Sequence, residues 1–295
     1  MARFGTVLTA MVTPFDSEGG LDLDAAGRLA RWLVEHGNDG LVVSGTTGES
    51  PTLSDDEKVA LWRAVRAAVD VPVVAGSTSN DTAHSVRLTQ AAAEAGVDAI
   101  LAVVPYYSRP PQSGIEAHFR AVAAVTDLPV MLYDVPSRTG RKLETSTLLR
   151  LAEQVPNVVA LKDAGGNPAE TARLLAAAPE GFEVYSGDEP LTPALLSAGA
   201  VGVVGVASHW TAPEQAELFE AWDKGEVARV QEIHAGLLPS YAYMNSDTCV
   251  FSQAVKVAMG VLGVSVGECR LPLGPAPEGT ADRFLEVWRG LGRAA

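Results

Sequence analysis

Eight short apolar runs recur along the chain, and their spacing narrows what it can fold into. They occupy residues 7–13, 40–45, 71–77, 99–104, 129–135, 158–164, 182–188 and 201–206, with starts 33, 31, 28, 30, 29, 24 and 19 residues apart. Continuous runs of this length, without apolar–polar alternation, read as strands buried on both faces, as in a parallel sheet. Helical patterns with legible ends lie between them. Ser54-Asp55-Asp56-Glu57 opens a helix through Ala67, with a capping serine and an acidic first turn. Asp81 opens a second over 82–95, stopped by Gly96, and Asp24 and Pro213 are expected to open two more. Eight strand–helix units at this interval predict an α/β fold, a (β/α)8 TIM barrel. A doubly wound open sheet is the competing arrangement, but it usually has five or six strands. No Gly-x-Gly-x-x-Gly turn follows the first run here.

The pattern changes near Lys224. Residues 226–243, 248–262 and 280–292 read as helices with no strand between them, and 271–277 as one Pro-rich extended connection. The expected organisation is a catalytic barrel over 1–224 and a C-terminal helical extension over 225–295 packed on it. Segment 241–249 matches no pattern.

Charge narrows the partners. With 22 basic and 36 acidic side chains the net charge is −14, which excludes nucleic acid or an anionic membrane as a partner, because either needs a basic stripe. A small anionic substrate needs only a few local cations and is not excluded. Two cysteines, Cys249 and Cys269, fit a reducing cytoplasm rather than a disulfide scaffold. The apolar run near the amino terminus is too short to span a membrane. A cytoplasmic protein without membrane contact is expected.

In a barrel of this kind the site lies at the carboxyl ends of the strands. Lys162 is the only one of five lysines inside an apolar run, Val158-Val159-Ala160-Leu161-Lys162. Burial there disfavours the ammonium, and a neutral amine can attack a carbonyl to form a Schiff base. The competing reading is an ordinary ion pair with Asp163 or Asp188. Ser44-Gly45-Thr46-Thr47-Gly48-Glu49-Ser50 ends the second run, where hydroxyls and backbone amides can hold a carboxylate or phosphate. Alternatively it is a turn whose side chains bond their own backbone. Tyr133 ends the fifth run and can relay protons, while Arg138, in the loop restricted by Pro136, can clamp a carboxylate bidentately. Tyr106-Tyr107 after the fourth run reads first as a packing or interface pair, and Gly202 and Gly205 as points of close backbone approach. The five histidines are scattered with no metal-binding spacing, so no metal is expected. A carbon–carbon bond enzyme without a metal needs another electron sink, which a lysine imine provides.

Gly45-Thr46-Thr47-Gly48-Glu49-Ser50, Pro105-Tyr106-Tyr107, Tyr133 to Gly140, Leu161-Lys162-Asp163 and Ser186-Gly187-Asp188 stand in an order and spacing that resembles the dihydrodipicolinate synthase family, over essentially the whole chain. The resemblance implies condensation of pyruvate with aspartate semialdehyde in lysine and diaminopimelate biosynthesis, with no cofactor beyond a covalent pyruvate imine on Lys162. It implies a proton relay of Tyr133, Thr46 and a Tyr107 reaching in from a neighbouring subunit. Thr47 would hold the pyruvate carboxylate and Arg138 the aldehyde's carboxylate, with Gly187 and Val204, the latter through its carbonyl, lining the pyruvate pocket. It further implies a homotetramer of two tight dimers.

The same family holds N-acetylneuraminate lyases and 2-keto-3-deoxygluconate aldolases, and these are the alternatives, together with a catalytically silent small-acid-binding paralogue. Gly45-Thr46-Thr47-Gly48-Glu49, where the lyases usually have Gly-Ser-Thr-Gly-Glu, and Arg138 favour the synthase among them. Two departures stand out. Asp134 occupies a position often held by Asn, and Asp55, Lys58 and His84 occupy positions where lysine-inhibited relatives carry other residues, so weak or absent inhibition by lysine is expected.

Overall fold

The computed structural model describes residues 2–244 and 249–293. Its eight strands are β1 (Val7–Ala10), β2 (Gly40–Val43), β3 (Val73–Gly76), β4 (Ala99–Val103), β5 (Val130–Asp134), β6 (Val158–Asp163), β7 (Glu183–Ser186) and β8 (Gly202–Gly205). All pair in parallel, β8 returns to β1, and the sheet closes into a barrel. Each strand falls within one of the eight apolar runs and is shorter than the run. The residues of each run beyond its strand's carboxyl end start the loops at the carboxyl rim.

The helices are α1 (Leu23–Glu35), α2 (Asp55–Ala68), α3 (Thr82–Glu94), α4 (Gln112–Ala123), α5 (Pro136–Thr139), α6 (Thr145–Gln154), α7 (Pro168–Ala177), α8 (Thr192–Ala198), α9 (Ser208–Asp223), α10 (Val227–Met244), α11 (Phe251–Val261) and α12 (Thr280–Gly290). The capping box at Ser54 and Glu57 forms as expected, and Asp81 caps α3. Two helix starts differ from expectation. Asp22, not Asp24, caps α1 by accepting from Ala25 N, and Asp24 lies inside the first turn. Pro213 does not open α9 but sits within it. Chain leaving β8 turns directly into helix, closed by the amides of Trp210 and Thr211 on Ala207 O. Burial of Trp210 holds that turn, so the proline costs one internal hydrogen bond rather than setting the boundary.

Burial on both faces of the strands is visible as two separate apolar clusters. The outer one joins strands to helices, while the inner one fills the barrel with Leu8, Val42, Val74, Leu101, Met131 and Val204 among others. Register carries this inward orientation to the carboxyl rim. Val103, Tyr133, Lys162 and Tyr185 are successive partners across β4, β5, β6 and β7. Since paired residues of parallel strands point to the same face, Lys162 points inward with Tyr133 and Tyr185, which belong to the inner cluster.

The C-terminal helices pack on α9 through aromatic edges. Trp210 meets Tyr243 at 5.9 Å and Phe284 at 5.3 Å between ring centroids, and its indole donates to Ser240 Oγ. The expected helix over 248–262 is α11, which begins at Phe251. Residues 245–248 of the unmatched segment lie outside the described residues. Among the described residues no helix is long and apolar enough to cross a membrane.

Candidate active site

Lys162 sits at the end of β6 with 5% of its surface exposed, and it opens on a cavity of about 270 Å³ at the carboxyl rim. Burial lowers its pKa from 10.5 to about 8, with the nearby Glu189 carboxylate acting in the opposite direction and Arg138 in the same one. Among the described residues Lys162 forms no ion pair. The two neighbouring carboxylates, Asp163 and Asp188, do not pair with it. Asp163, the next residue of the strand, points outward and accepts from Thr171 Oγ1 and Gly165 N. Asp188 lines the cavity, and its pKa is raised by burial. The Lys162 ammonium position lies 4.4 Å from the centroid of the Tyr133 ring.

Tyr133 is buried, and burial pushes its phenol up to about 12, while Arg138 and a hydrogen bond with Thr46 act in the opposite direction. Thr46, Thr47, Arg138 and Gly187 line the same cavity. The Thr46–Thr47 turn is closed by Glu49 N on Thr46 O and Ser50 N on Gly45 O, with Glu49 in a left-handed conformation. Of its hydroxyls, Ser44 bonds the backbone of Val43 and Gly76 and receives the Trp62 indole, a structural use. Gly187 has a packing reason as well: a Cβ there would lie 2.9 Å from Lys162 Cγ. An adjoining cavity of about 230 Å³ shares Thr46, Tyr133, Val135 and Arg138 and extends to Ser50 and Tyr106.

Two expected residues lie outside the residues that line this cavity. The Val204 side chain belongs to the inner barrel cluster, consistent with a part played by its carbonyl rather than its side chain, and Val206, two residues on, lines the cavity. Tyr107 is 90% exposed, with φ +69°, and lines neither cavity of its own chain. Asp134 turns away from the cavity, as the residue after an inward Tyr133 must. It accepts from Lys142 Nζ at 2.7 Å and Leu143 N at 2.9 Å, so the departure from Asn is answered outside the barrel.

Three residues of the site went unread in the sequence. Glu189 is buried, lines the cavity, and its carboxylate accepts from Val206 N, Ala207 N and Gln215 Nε2. Burial raises its pKa. It also explains Gly205, where a Cβ would lie 2.5 Å from Glu189 Oε1. Met244 and Phe251 reach the cavity from α10 and α11. Glu189 directly follows the Ser186-Gly187-Asp188 motif, which was a usable signal; no local pattern marks Met244 or Phe251.

A buried amine facing a cavity, a phenol beside it and an exposed guanidinium at the rim suit imine formation with a small 2-oxo acid and recognition of a carboxylate. Comparison with known proteins places the chain in a family. A profile described as the dihydrodipicolinate synthetase family matches residues 3–287. The chain is similar to the 4-hydroxy-tetrahydrodipicolinate synthase of Synechococcus elongatus, with 49% identity over 276 residues, 92% of this chain and 91% of that one. It superposes on a dihydrodipicolinate synthase from Bacillus anthracis with a TM-score of 0.92 and 42% identity, covering 98% of this chain and 99% of that one. A third similar protein is the Cyanidioschyzon merolae enzyme, solved with lysine bound, at a TM-score of 0.94, 40% identity and 100% coverage of both chains.

Proposed function

Because this chain belongs to the dihydrodipicolinate synthetase family, a family of lyases, we propose that it condenses pyruvate with L-aspartate 4-semialdehyde to 4-hydroxy-tetrahydrodipicolinate, the reaction named for the Synechococcus elongatus relative. The observation that carries the proposal is Lys162: a buried amine, free of any ion pair among the described residues, at the floor of a cavity. The neutral amine adds to the pyruvate carbonyl, water leaves, and an iminium forms. Loss of a methyl proton gives the enamine, whose carbon attacks the aldehyde. The adduct's amino group then displaces Lys162 and closes the six-membered ring. No cofactor is required, because the iminium is the electron sink.

In this reading Tyr133 and Thr46 move protons, Thr47 and Gly187 hold pyruvate, and Arg138 takes the semialdehyde's carboxylate. Val204 contributes its backbone carbonyl to the pyruvate pocket, and the side chain of Val206, just beyond β8, adds to the cavity wall. Tyr107, exposed on its own chain, completes the relay of a neighbouring subunit within a homotetramer. Two cysteines in 295 residues fit the cytoplasm as its compartment.

The test is direct. Pyruvate with borohydride yields a stable mass increase on the peptide containing Lys162, and a coupled assay detects condensation with aspartate semialdehyde but no cleavage of N-acetylneuraminate or 2-keto-3-deoxygluconate. Absence of the adduct removes the imine; cleavage in place of condensation moves the chain to a sister lyase.

Inhibition by L-lysine is expected to be weak. His84 Nε2 already lies 2.8 Å from Asp55, and Lys58 is buried beside them, its pKa lowered by that burial. A ligand ammonium would meet two basic groups and an engaged carboxylate. A micromolar inhibition constant in the condensation assay would overturn this.

A further inference from the structure

The helix that follows the barrel reaches the chamber that holds Lys162. Phe251, the first residue of α11, and Met244, the last of α10, both line it. The Arg138 guanidinium carbon lies 4.3 Å from the centroid of the Phe251 ring. Arg138 itself is exposed on the short helix α5, and among the described residues it makes no ion pair, so this ring is its charge-stabilising neighbour.

Phe251 is held from below. Ser252 Oγ donates to Thr47 O at 3.0 Å, and Lys256 Nζ lies 2.7 Å from Glu49 Oε1, both side chains almost completely buried. These contacts tie the start of α11 to the Thr46–Thr47 turn, so the ring is positioned by a different part of the chain from the one that carries Arg138. Contact with an aromatic face restrains an otherwise mobile arginine while using none of its N–H donors. Those donors remain available for a carboxylate in the cavity.

We propose that Phe251 is a specificity-determining residue for the second substrate: it holds Arg138 in place for the semialdehyde's carboxylate and, with Met244, forms the apolar wall along its carbon chain. The proposal rests on the reading of Arg138 given above. It assigns the C-terminal helices a share in substrate choice, with pyruvate left to Lys162, Thr47 and Gly187.

Steady-state kinetics with both substrates varied separate the possibilities. Phe251→Ala is expected to raise KM for aspartate semialdehyde roughly two- to thirtyfold, the range of a cation–π contact. KM for pyruvate and the rate of borohydride trapping change far less than KM for the semialdehyde, and Phe251→Trp, which keeps an aromatic face against Arg138, raises the latter less than Phe251→Ala does. In an Arg138→Ala background the same Phe251→Ala change adds little, because the ring then has no guanidinium to hold. An unchanged KM for the semialdehyde overturns the proposal, as does an equal rise for both substrates, which is the signature of a loosened fold. A wild-type chain that traps pyruvate but does not condense it with the semialdehyde fails the parent reading instead, and is recognised by that assay alone.

Discussion

Lys162→Met removes turnover, lowering kcat by at least about a thousandfold, or roughly 4 kcal/mol in activation free energy, and removes the borohydride adduct. The same variant keeps its fold and gains stability. Burial lowers the Lys162 pKa from 10.5 to about 8, so the folded state disfavours the ammonium relative to the unfolded chain. Below about pH 8 the residue therefore costs stability, on the order of 3 kcal/mol at neutral pH, and the cost fades as pH climbs from 8 to 10.5. Methionine fills nearly the same volume without a charge. A thermal midpoint at pH 7 that falls below wild type by several degrees would contradict this account. The same shift governs rate. About a tenth of the amine is neutral at pH 7, against about one part in 3,000 for an ordinary lysine, so adduct formation should rise about fivefold from pH 7 to 8 and level off above 9. A flat profile across that interval would count against Lys162 as the titrating nucleophile.

Lys256→Met carries the largest expected loss of stability, about 3–5 kcal/mol, because it leaves Glu49 buried without its partner. The pair stands 2.7 Å apart with both side chains almost wholly inside, and Lys256 also donates to Glu268 O. Glu49 then keeps the backbone amide of Arg270 and the Cys269 thiol, neither of which balances its charge. Adding Glu49→Gln should restore at least half of the loss, since the amide oxygen keeps the Arg270 contact and the charge is gone. Equilibrium urea unfolding reads both effects. A single variant within about 1 kcal/mol of wild type, or a double variant weaker than the single, defeats the assignment. The neighbouring Thr46–Thr47 turn loses an anchor in the single variant, so KM for pyruvate should rise as well.

Much of the fold was readable because a barrel strand buried on both faces is apolar along most of its length, with polar residues gathered at its ends. All eight strands lie within the eight apolar runs, and Ser54 and Asp81 cap the helices they precede. Pro213 shows where local signals stop. A proline predicts a helix start by itself, yet the packing of Trp210 extends the helix on its amino-terminal side. Asp24 likewise loses the cap to Asp22, whose carboxylate alone reaches Ala25 N.

The amino-acid sequence by itself determined the barrel, the inward lysine and the ordered motifs at the strand ends, because each is a matter of neighbours in the chain. Which partners those motifs have was decided by tertiary structure. Strand alternation turns Asp163 and Asp134 out to Thr171 and Lys142, leaving Lys162 without an ion pair among the described residues, between Tyr133 and the cavity. Closure of the barrel brings Glu189 to the turn after β8, and folding back of the C-terminal helices lays Phe251 against Arg138, more than a hundred residues away. Contacts of that kind depend on where distant segments dock, and burial and charge are set there rather than in any local run of residues.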